Sequence, residues 1–335
     1  MKKKNKKEYP LSSKWGFGLL ISLTIISLLL SLRYGSADMT LKQFLLALIG
    51  KPLNETDSVI LYMVRLPRVL AALLAGIGLS VSGVLLQTVT DNALAGPNII
   101  GVNAGAGFAV VIALSLFPTL FWLMPLCAFF GALGTTLIIV ILSGKGVRSK
   151  ATIILSGVAV TALLNALISA FTLIDADILA SFNSFSVGGF SGITKERLIL
   201  PAIIIFISLA VSIIIAPRLN MLCIGDAYAT SLGISVKTVR IVGIVCASAS
   251  AAAVVSFAGL LGFVGLIVPH ISRRLVGTKT RPLIFSSSLI GAIVTVLADL
   301  LGRVLAAPSE IPVGIMMAFI GAPFFIHLLV RSREA

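Results

Sequence analysis

Long apolar runs without charges, separated by short polar or basic segments, make up most of the chain. A helix needs about 20 such residues to cross a bilayer. Ten runs reach or approach that length, at residues 15–33, 65–88, 97–117, 120–143, 151–173, 197–216, 238–257, 259–273, 283–304 and 312–330. The pattern predicts an all-α polytopic membrane protein in which about ten transmembrane helices form a compact bundle.

The connections between these runs differ in character. Residues 39–50 have helical periodicity but are too short to span, which predicts an interfacial helix inside the connection 34–64. Residues 174–196 form a second polar connection, with room for one short helix. The segment 217–236 is the longest connection on the opposite side, and its apolar residues have no evident cover within the chain.

Composition and charge give the orientation. Of 335 residues, 58% are hydrophobic and 11% are charged, whereas soluble domains carry about 25% charge. The net charge of +14 comes from basic residues between the spans, so it indicates topology and lipid contact rather than nucleic-acid binding. With the N-terminus inside, 18 of the 26 basic residues are cytoplasmic. An even number of spans then leaves both termini in the cytoplasm.

The predicted domain organisation follows from this topology. Residues 1–14 form a basic cytoplasmic N-terminus, and residues 15–331 form a single transmembrane domain. The start of the chain is similar to a signal peptide, but the run at 15–33 is long enough to span and no cleavage motif follows it. We interpret it as a retained first helix.

The stretch 259–282 combines packing and topology signals. Glycines at 259, 262 and 265 predict a bare helix face that a neighbouring backbone can approach. The basic residues that follow, from Arg273 to Arg281, mark a cytoplasmic helix end because they cross a bilayer at high cost.

Three arginines are predicted at the outer membrane surface. Arg65 and Arg68 lie three residues apart in R-L-P-R and share a helix face, and Arg303 follows Asp299 by four residues. One interpretation is structural: snorkelling side chains and an Asp299–Arg303 pair. The other is a docking patch for carboxylates of an external partner, because arginine binds carboxylates with two hydrogen bonds.

Two further polar features lie on the cytoplasmic side. Gln87 and Asn92 sit at the inner end of the second span, where they either join helices or line a pathway. Gly225 and Asp226 predict a turn followed by an N-capped short helix that ends at Gly233. Such a helix would lie on the lipid surface or contact a cytoplasmic partner.

No arrangement typical of catalysis is present in the sequence. His270 and His327 belong to different spans, and Cys127, Cys223 and Cys246 have no paired spacing, so neither a metal site nor a disulfide framework is expected. The chain lacks the Gly-x4-Gly-Lys-Ser/Thr phosphate loop. We therefore expect neither catalytic residues nor a bound cofactor.

Several ordered motifs over residues 59–331 resemble the permease subunits of ABC importers for iron-siderophores, haem and cobalamin, the FecCD type. The motifs are R-L-P-R at 65–68, S-G-V-L-L-Q at 82–87, N-A-L-A-G-P at 92–97, I-G-D-A-Y-A-T-S-L-G at 224–233, G-F-V-G-L-I-V-P-H-I-S-R at 262–273 and E-I-P-V-G-I-M-M-A-F-I-G-A-P-F-F at 310–325. The resemblance departs at Ala93, where the family usually has proline.

The resemblance implies a multi-pass permease of the bacterial cytoplasmic membrane. Its partners would be a second permease subunit, identical or paralogous, two cytoplasmic ATPase subunits that bind ATP and Mg²⁺, and an extracellular substrate-binding protein. It implies three sets of site residues, which are Gly225, Asp226, Ala229, Leu232 and Gly233 for ATPase coupling, Arg65, Arg68 and Arg303 for docking the binding protein, and Asn92 and Leu94 near the cytoplasmic gate. The polar Gln87, at the inner end of the second span, is added to the pathway and gate residues.

These features predict ATP-driven import of an iron-siderophore complex, with haem or cobalamin as alternative cargoes. An ion-coupled secondary transporter is the main alternative class. Such transporters place acidic or histidine relays within the membrane, whereas Asp299 is the only acidic residue well inside a predicted span. A purely structural membrane scaffold is a third class, in which Asp226 and Gly233 would be replaceable.

Overall fold

The computed structural model describes residue 11 and residues 14–36, 39–143 and 150–332. Within these ranges the regular secondary structure is helical. The α-helices are α1 (Lys14–Arg33), α2 (Leu41–Leu48), α3 (Glu55–Val59), α4 (Leu66–Thr90), α5 (Val102–Leu116), α6 (Met124–Ser143), α7 (Lys150–Ile174), α8 (Ala176–Val187), α9 (Lys195–Ile224), α10 (Asp226–Ser231), α11 (Val236–Ala258), α12 (Val264–Val276), α13 (Thr280–Leu305) and α14 (Val313–Ser332). A π-helical turn, Ile60–Arg65, joins α3 to α4.

The predicted fold class is confirmed. Each of the ten predicted spans contains a helix, and in the described part of the chain seven helical segments are long and apolar enough to cross a membrane. The apolar helix α5 is shorter, and α14 contains a shorter apolar stretch, Val313–His327. The predicted interfacial helix at 39–50 is α2, and the predicted short helix in the connection 174–196 is α8. The basic segment 1–14 lies almost wholly outside the described residues, and the domain boundaries remain predictions.

Two predicted spans begin later than expected. The third helix starts at Val102 rather than at residue 97, because the chain turns at Pro97 and Gly101 has a left-handed φ of 73°. The eighth starts at Val264, because Gly259 and Phe263 have φ values of 71° and 66°. The prediction that Gly259 and Gly262 share a helix face with Gly265 is therefore wrong, since only Gly265 is helical.

The predicted loop 217–236 is mostly helical. Helix α9 continues through Pro217 to Ile224, and the short α10 follows directly after Gly225. Proline removes one backbone donor inside a helix. Helix α9 nevertheless continues past Pro217, because Leu219 and Leu222 are buried against the helix bundle. The non-helical residues of this connection are Gly225 and residues 232–235.

Helix α4 lies at the centre of the fold, with 21 of its 25 residues buried. It packs on α13, α11, α12 and α9. At Gly76 it meets the backbone of Gly291 in α13, and at Gly83 it meets the backbone of Gly265 in α12. Small residues let helix backbones approach each other in lipid, where no hydrophobic effect drives helices together.

We expect the replacement of Gly83 by valine to destabilise the folded protein by about 1–3 kcal/mol, because the added Cβ would overlap the carbonyl oxygen of Gly265. Thermal unfolding of the purified protein in detergent measures the effect. Gly134→Val is the matched control, because a Cβ there meets no atom within 4 Å. Equal melting temperatures for the two variants would contradict the proposed packing.

Candidate functional site

At the predicted outer end of α4, two arginines share one buried carboxylate. The Nε of Arg68 donates to both oxygens of Asp299, at 3.0 and 3.2 Å, and the Nε of Arg303 donates to Asp299 Oδ2 at 3.0 Å. Asp299 is only 1% exposed. The predicted Asp299–Arg303 pair is present, and the structure adds Arg68 to it from a different helix.

Arg65 and Arg303 also bind the end of α1. Arg65 Nη1 donates to the carbonyl oxygens of Leu32 and Arg33, at 2.9 and 2.7 Å, and Arg303 donates to the carbonyl oxygen of Tyr34 at 3.0 Å. The last carbonyls of a helix lack intrahelical donors and carry partial negative charge. Both arginines therefore stabilise the C-terminal end of α1.

The structure brings the three predicted docking arginines together but buries them. Arg65, Arg68 and Arg303 are 3%, 7% and 2% exposed. Only Arg68 lines an open cavity at this end, with a volume of about 730 Å³, where Glu310 is its neighbour. An external carboxylate would thus have access to Arg68 from the cavity.

Glu310 completes this cluster and was not among the predicted site residues. Its two carboxylate oxygens accept hydrogen bonds from Arg68 Nη1 at 2.6 Å and from the Ser36 hydroxyl at 3.0 Å. Burial acts to raise the pKa of Glu310. The hydrogen bonds from Arg68 and Ser36 and the charges of Arg68 and Arg303 outweigh it and hold the pKa below its ordinary value. The sequence signal for Glu310 was its place in the E-I-P motif.

At the other end of α4, Gln87 connects two helices. Its side-chain amide donates to the carbonyl oxygens of Gly265 and Leu266, at 3.3 and 3.4 Å, and its carbonyl oxygen accepts from Arg273 Nη1 at 2.5 Å. This matches the interpretation of Gln87 as a group that joins helices. Arg273 was predicted only as a topology marker, and its role as a partner depends on the tertiary fold.

Asn92 and Leu94 form the turn after α4. The Asn92 side-chain oxygen accepts from the backbone N–H of Leu94 at 2.9 Å, and Asp91 before it has a left-handed φ of 50°. Leu94 is 39% exposed. A cavity of about 810 Å³ lies beside this turn, lined among others by Gln87, Asn92, Cys223 and Arg273. The three predicted gate residues therefore lie near one opening of the bundle.

The predicted coupling residues surround α10. Gly225 has a φ of 145° and Gly233 a φ of 77°, so glycine is required at both ends of this helix. The sequence predicts an N-capped helix after the turn at Gly225 and Asp226, but in the structure the N-cap position is Gly225 and no side chain caps the helix. Asp226 is the first helical residue, and its carboxylate accepts two hydrogen bonds of 2.8 Å from Arg240 in α11.

This ion pair holds one face of α10 on the bundle. Arg240 is fully buried, and Ala229 on the same side of α10 is buried as well. The opposite face carries Tyr228 and Leu232, which are 49% and 55% exposed. The short helix is thus anchored on one side and offers apolar side chains on the other.

The histidines and cysteines do not form a metal site in the described part of the chain, where no three His, Cys, Asp or Glu side chains are close enough together to hold an ion. His270 packs edge-on against Phe324, with the ring centres 6.1 Å apart. The contact gives His270 a packing role in the interface between α12 and α14.

Comparisons with known proteins cover almost the whole chain. The model of the FecCD transport family matches residues 23–331. A Fe(3+)-citrate import system permease protein of Bacillus subtilis (strain 168) is 35% identical over 313 residues, which are 93% of this chain and 92% of that protein. A hemin transport system permease protein of Yersinia pestis is 34% identical, over 95% of this chain and 96% of that protein.

A solved structure, described as an inward-facing conformation of a metal-chelate type ABC transporter, superposes with a TM-score of 0.85 at 30% identity, over 94% of this chain and 98% of that one.

We expect Asp299→Asn to destabilise the protein by about 3–5 kcal/mol, because it leaves two buried arginines without their shared carboxylate. Thermal unfolding in lipid nanodiscs measures the change. Asp177→Asn is the control, since Asp177 is an exposed carboxylate at the start of α8. If both variants unfold at the same temperature, the shared carboxylate does not hold the cluster together.

Proposed function

The chain belongs to the FecCD transport family, and from this premise we propose that it is the permease subunit that carries a ferric siderophore into the cytoplasm. It is a multi-pass membrane permease of the ABC importers that serve iron-siderophore, citrate or haem uptake. In the proposal, separate ATPase subunits supply the energy and an extracellular binding protein delivers the cargo. Haem and cobalamin are the alternative cargoes.

The observation that carries the proposal is the anchored helix α10. The Asp226–Arg240 pair joins α10 to α11, a long helix that packs directly on the central α4. A force applied to the exposed Tyr228 and Leu232 is therefore passed into the bundle rather than lost in a loose loop. This is what an ATPase partner needs if its closure is to move the permease.

Docking of the binding protein is proposed at the cavity beside Arg68. Arg65 and Arg303 bind the end of α1, so their contribution is to support the site. Arg68 faces the cavity, where Glu310 already occupies one side of its guanidinium group. A carboxylate on the binding protein would compete with Glu310 for Arg68.

Helix α7 supports the presence of a second permease subunit. Only 17% of its most apolar 18-residue stretch is buried, although it has the hydropathy of a span. Asn165 and Ser169 are exposed on this helix. Uncharged polar side chains suit another subunit or a wet pathway better than lipid tails. We propose that this face meets a second permease subunit, identical or paralogous.

The polar groups that line part of a cavity beside α7 suit an oxygen-rich chelate as cargo. The cavity has a volume of about 420 Å³ and is lined by three amides and three hydroxyl groups, those of Asn98, Asn103, Asn165, Thr161, Ser169 and Ser186, and by the apolar side chains of Ala104, Ile168, Phe182 and Leu260. Amides and hydroxyls can donate to the carboxylate, hydroxamate or catecholate oxygens of a ferric chelate.

Transport by the complete assembly tests the proposal. Proteoliposomes that contain the permease, its ATPase subunits and its binding protein are expected to accumulate ferric siderophore only when ATP is present. Ferric citrate, haemin and cobalamin are the comparison cargoes. Uptake without ATP would exclude the importer mechanism, and faster uptake of haemin or cobalamin would exclude the proposed cargo.

A variant of Arg240 tests the coupling role of α10. We expect Arg240→Met to lower ATPase activity stimulated by the binding protein about ten-fold or more, because α10 loses a charge-assisted double hydrogen bond to α11. Membrane insertion and assembly, followed by size-exclusion chromatography, should remain normal. Arg218→Met is the control, since Arg218 is an exposed arginine near the C-terminal end of α9, the helix that precedes α10. Full stimulation in Arg240→Met would contradict the coupling role.

A further inference from the structure

A groove on the outside of the bundle is lined by none of the residues assigned above to docking, coupling or the gate. It lies between the turn that precedes α6, the first turns of α9 and the end of α11, and has a volume of about 410 Å³. Its walls are mostly apolar, and four of the lining side chains are aromatic. They include Trp122, Phe129, Phe130, Leu200, Ile204 and Phe257.

The groove faces the membrane rather than another part of the described chain. Trp122, Phe130 and Leu200 are 61%, 66% and 57% exposed, and α6 and α9 both have the length and hydropathy of membrane spans. We therefore expect lipid hydrocarbon to fill the groove. Trp122 and the charged start of α9 place its mouth at the membrane–water interface, where tryptophan is enriched.

The mouth of the groove carries one charge of each sign. Glu196 and Arg197, consecutive residues in the first turn of α9, both line it. The neighbouring Lys195 directs its ammonium group elsewhere, 5.9 Å from the centre of the Tyr62 ring. The mouth thus carries a guanidinium group beside a carboxylate. That carboxylate already accepts hydrogen bonds from its own backbone N–H and from the Thr194 side chain, and its two oxygens can accept further donors.

Pro201, which also lines the groove, leaves one backbone carbonyl oxygen of α9 without its helical hydrogen bond. It lies inside α9, four residues after Arg197, and has no backbone N–H. The carbonyl oxygen of Arg197 therefore cannot receive its usual helical hydrogen bond from residue 201. This acceptor and the Glu196 carboxylate belong to adjacent residues in the first turn of α9.

We propose that this groove binds one phosphatidylethanolamine molecule. An acyl chain lies along the aromatic wall, and the lipid phosphate binds Arg197. The primary ammonium group donates to the Glu196 carboxylate and to the Arg197 carbonyl oxygen. Phosphatidylglycerol has no cation for these acceptors, and the methylated ammonium of phosphatidylcholine has no N–H to donate, so neither matches both halves of the mouth.

Native mass spectrometry of the delipidated full chain tests the proposal, with palmitoyl-oleoyl phosphatidylethanolamine, phosphatidylcholine and phosphatidylglycerol added separately at equal concentration. We expect one phosphatidylethanolamine to be retained at detergent levels that remove the other two lipids. Glu196→Gln and Arg197→Gln should each lower this retention about ten-fold. Lys195→Gln is the matched control and should retain the lipid like the unaltered protein.

Two outcomes would overturn the proposal. Equal retention of the three lipids would indicate general annular lipid, and equal retention by Glu196→Gln, Arg197→Gln and Lys195→Gln would place the lipid elsewhere. All three substituted side chains are exposed, so the variants are expected to fold. Ile204→Trp provides a second test, because an indole in the groove should displace the acyl chain and lower retention while the mouth stays intact.

Discussion

The close approach of backbones around α4 is the constraint on which the rest of the structure depends. Lipid tails are as apolar as leucine, so helices in a membrane gain little from apolar contact alone and depend on close packing. Gly76 and Gly83 provide that packing, because each lies against the backbone of another helix. Helix α4 is therefore a buried central helix that cannot shift far relative to its neighbours, since any added methyl group at these points would overlap main-chain atoms.

The two polar clusters lie at opposite ends of α4. Arg68 at the start of α4 binds Asp299 of α13, and Gln87 near its end binds Arg273 of α12. Because α12 and α13 both pack on α4, and also on each other, a shift at either cluster changes how these helices pack around α4. This arrangement offers a physical route between the outer cavity and the inner opening, although the two lie at opposite ends of the bundle.

The sequence was sufficient to predict the spans and the glycine-bounded helix α10, because both depend on local hydropathy and backbone conformation. It was insufficient where an apolar sequence does not reveal the backbone conformation. Residues 259–263 are as apolar as a span, yet the left-handed Gly259 and Phe263 keep them out of the helix. The pairs Arg68–Glu310 and Asp226–Arg240 were not predictable either, because their residues are distant in sequence and only tertiary packing brings them together.

Charge balance in the outer cluster decides which arginine an external carboxylate could bind. Arg68 and Arg303 are compensated by Asp299 and Glu310, and Arg65 is bound by helix carbonyls. Asp299 is buried and accepts hydrogen bonds from both arginines, so its replacement by an external carboxylate would leave two buried cations without their partner during the exchange. Glu310 is the partner with an exposed part, 28% of its side chain, and it contacts Arg68 from the cavity side. Replacement of Glu310 by another carboxylate keeps the charge balance, and we infer that docking would proceed through this exchange.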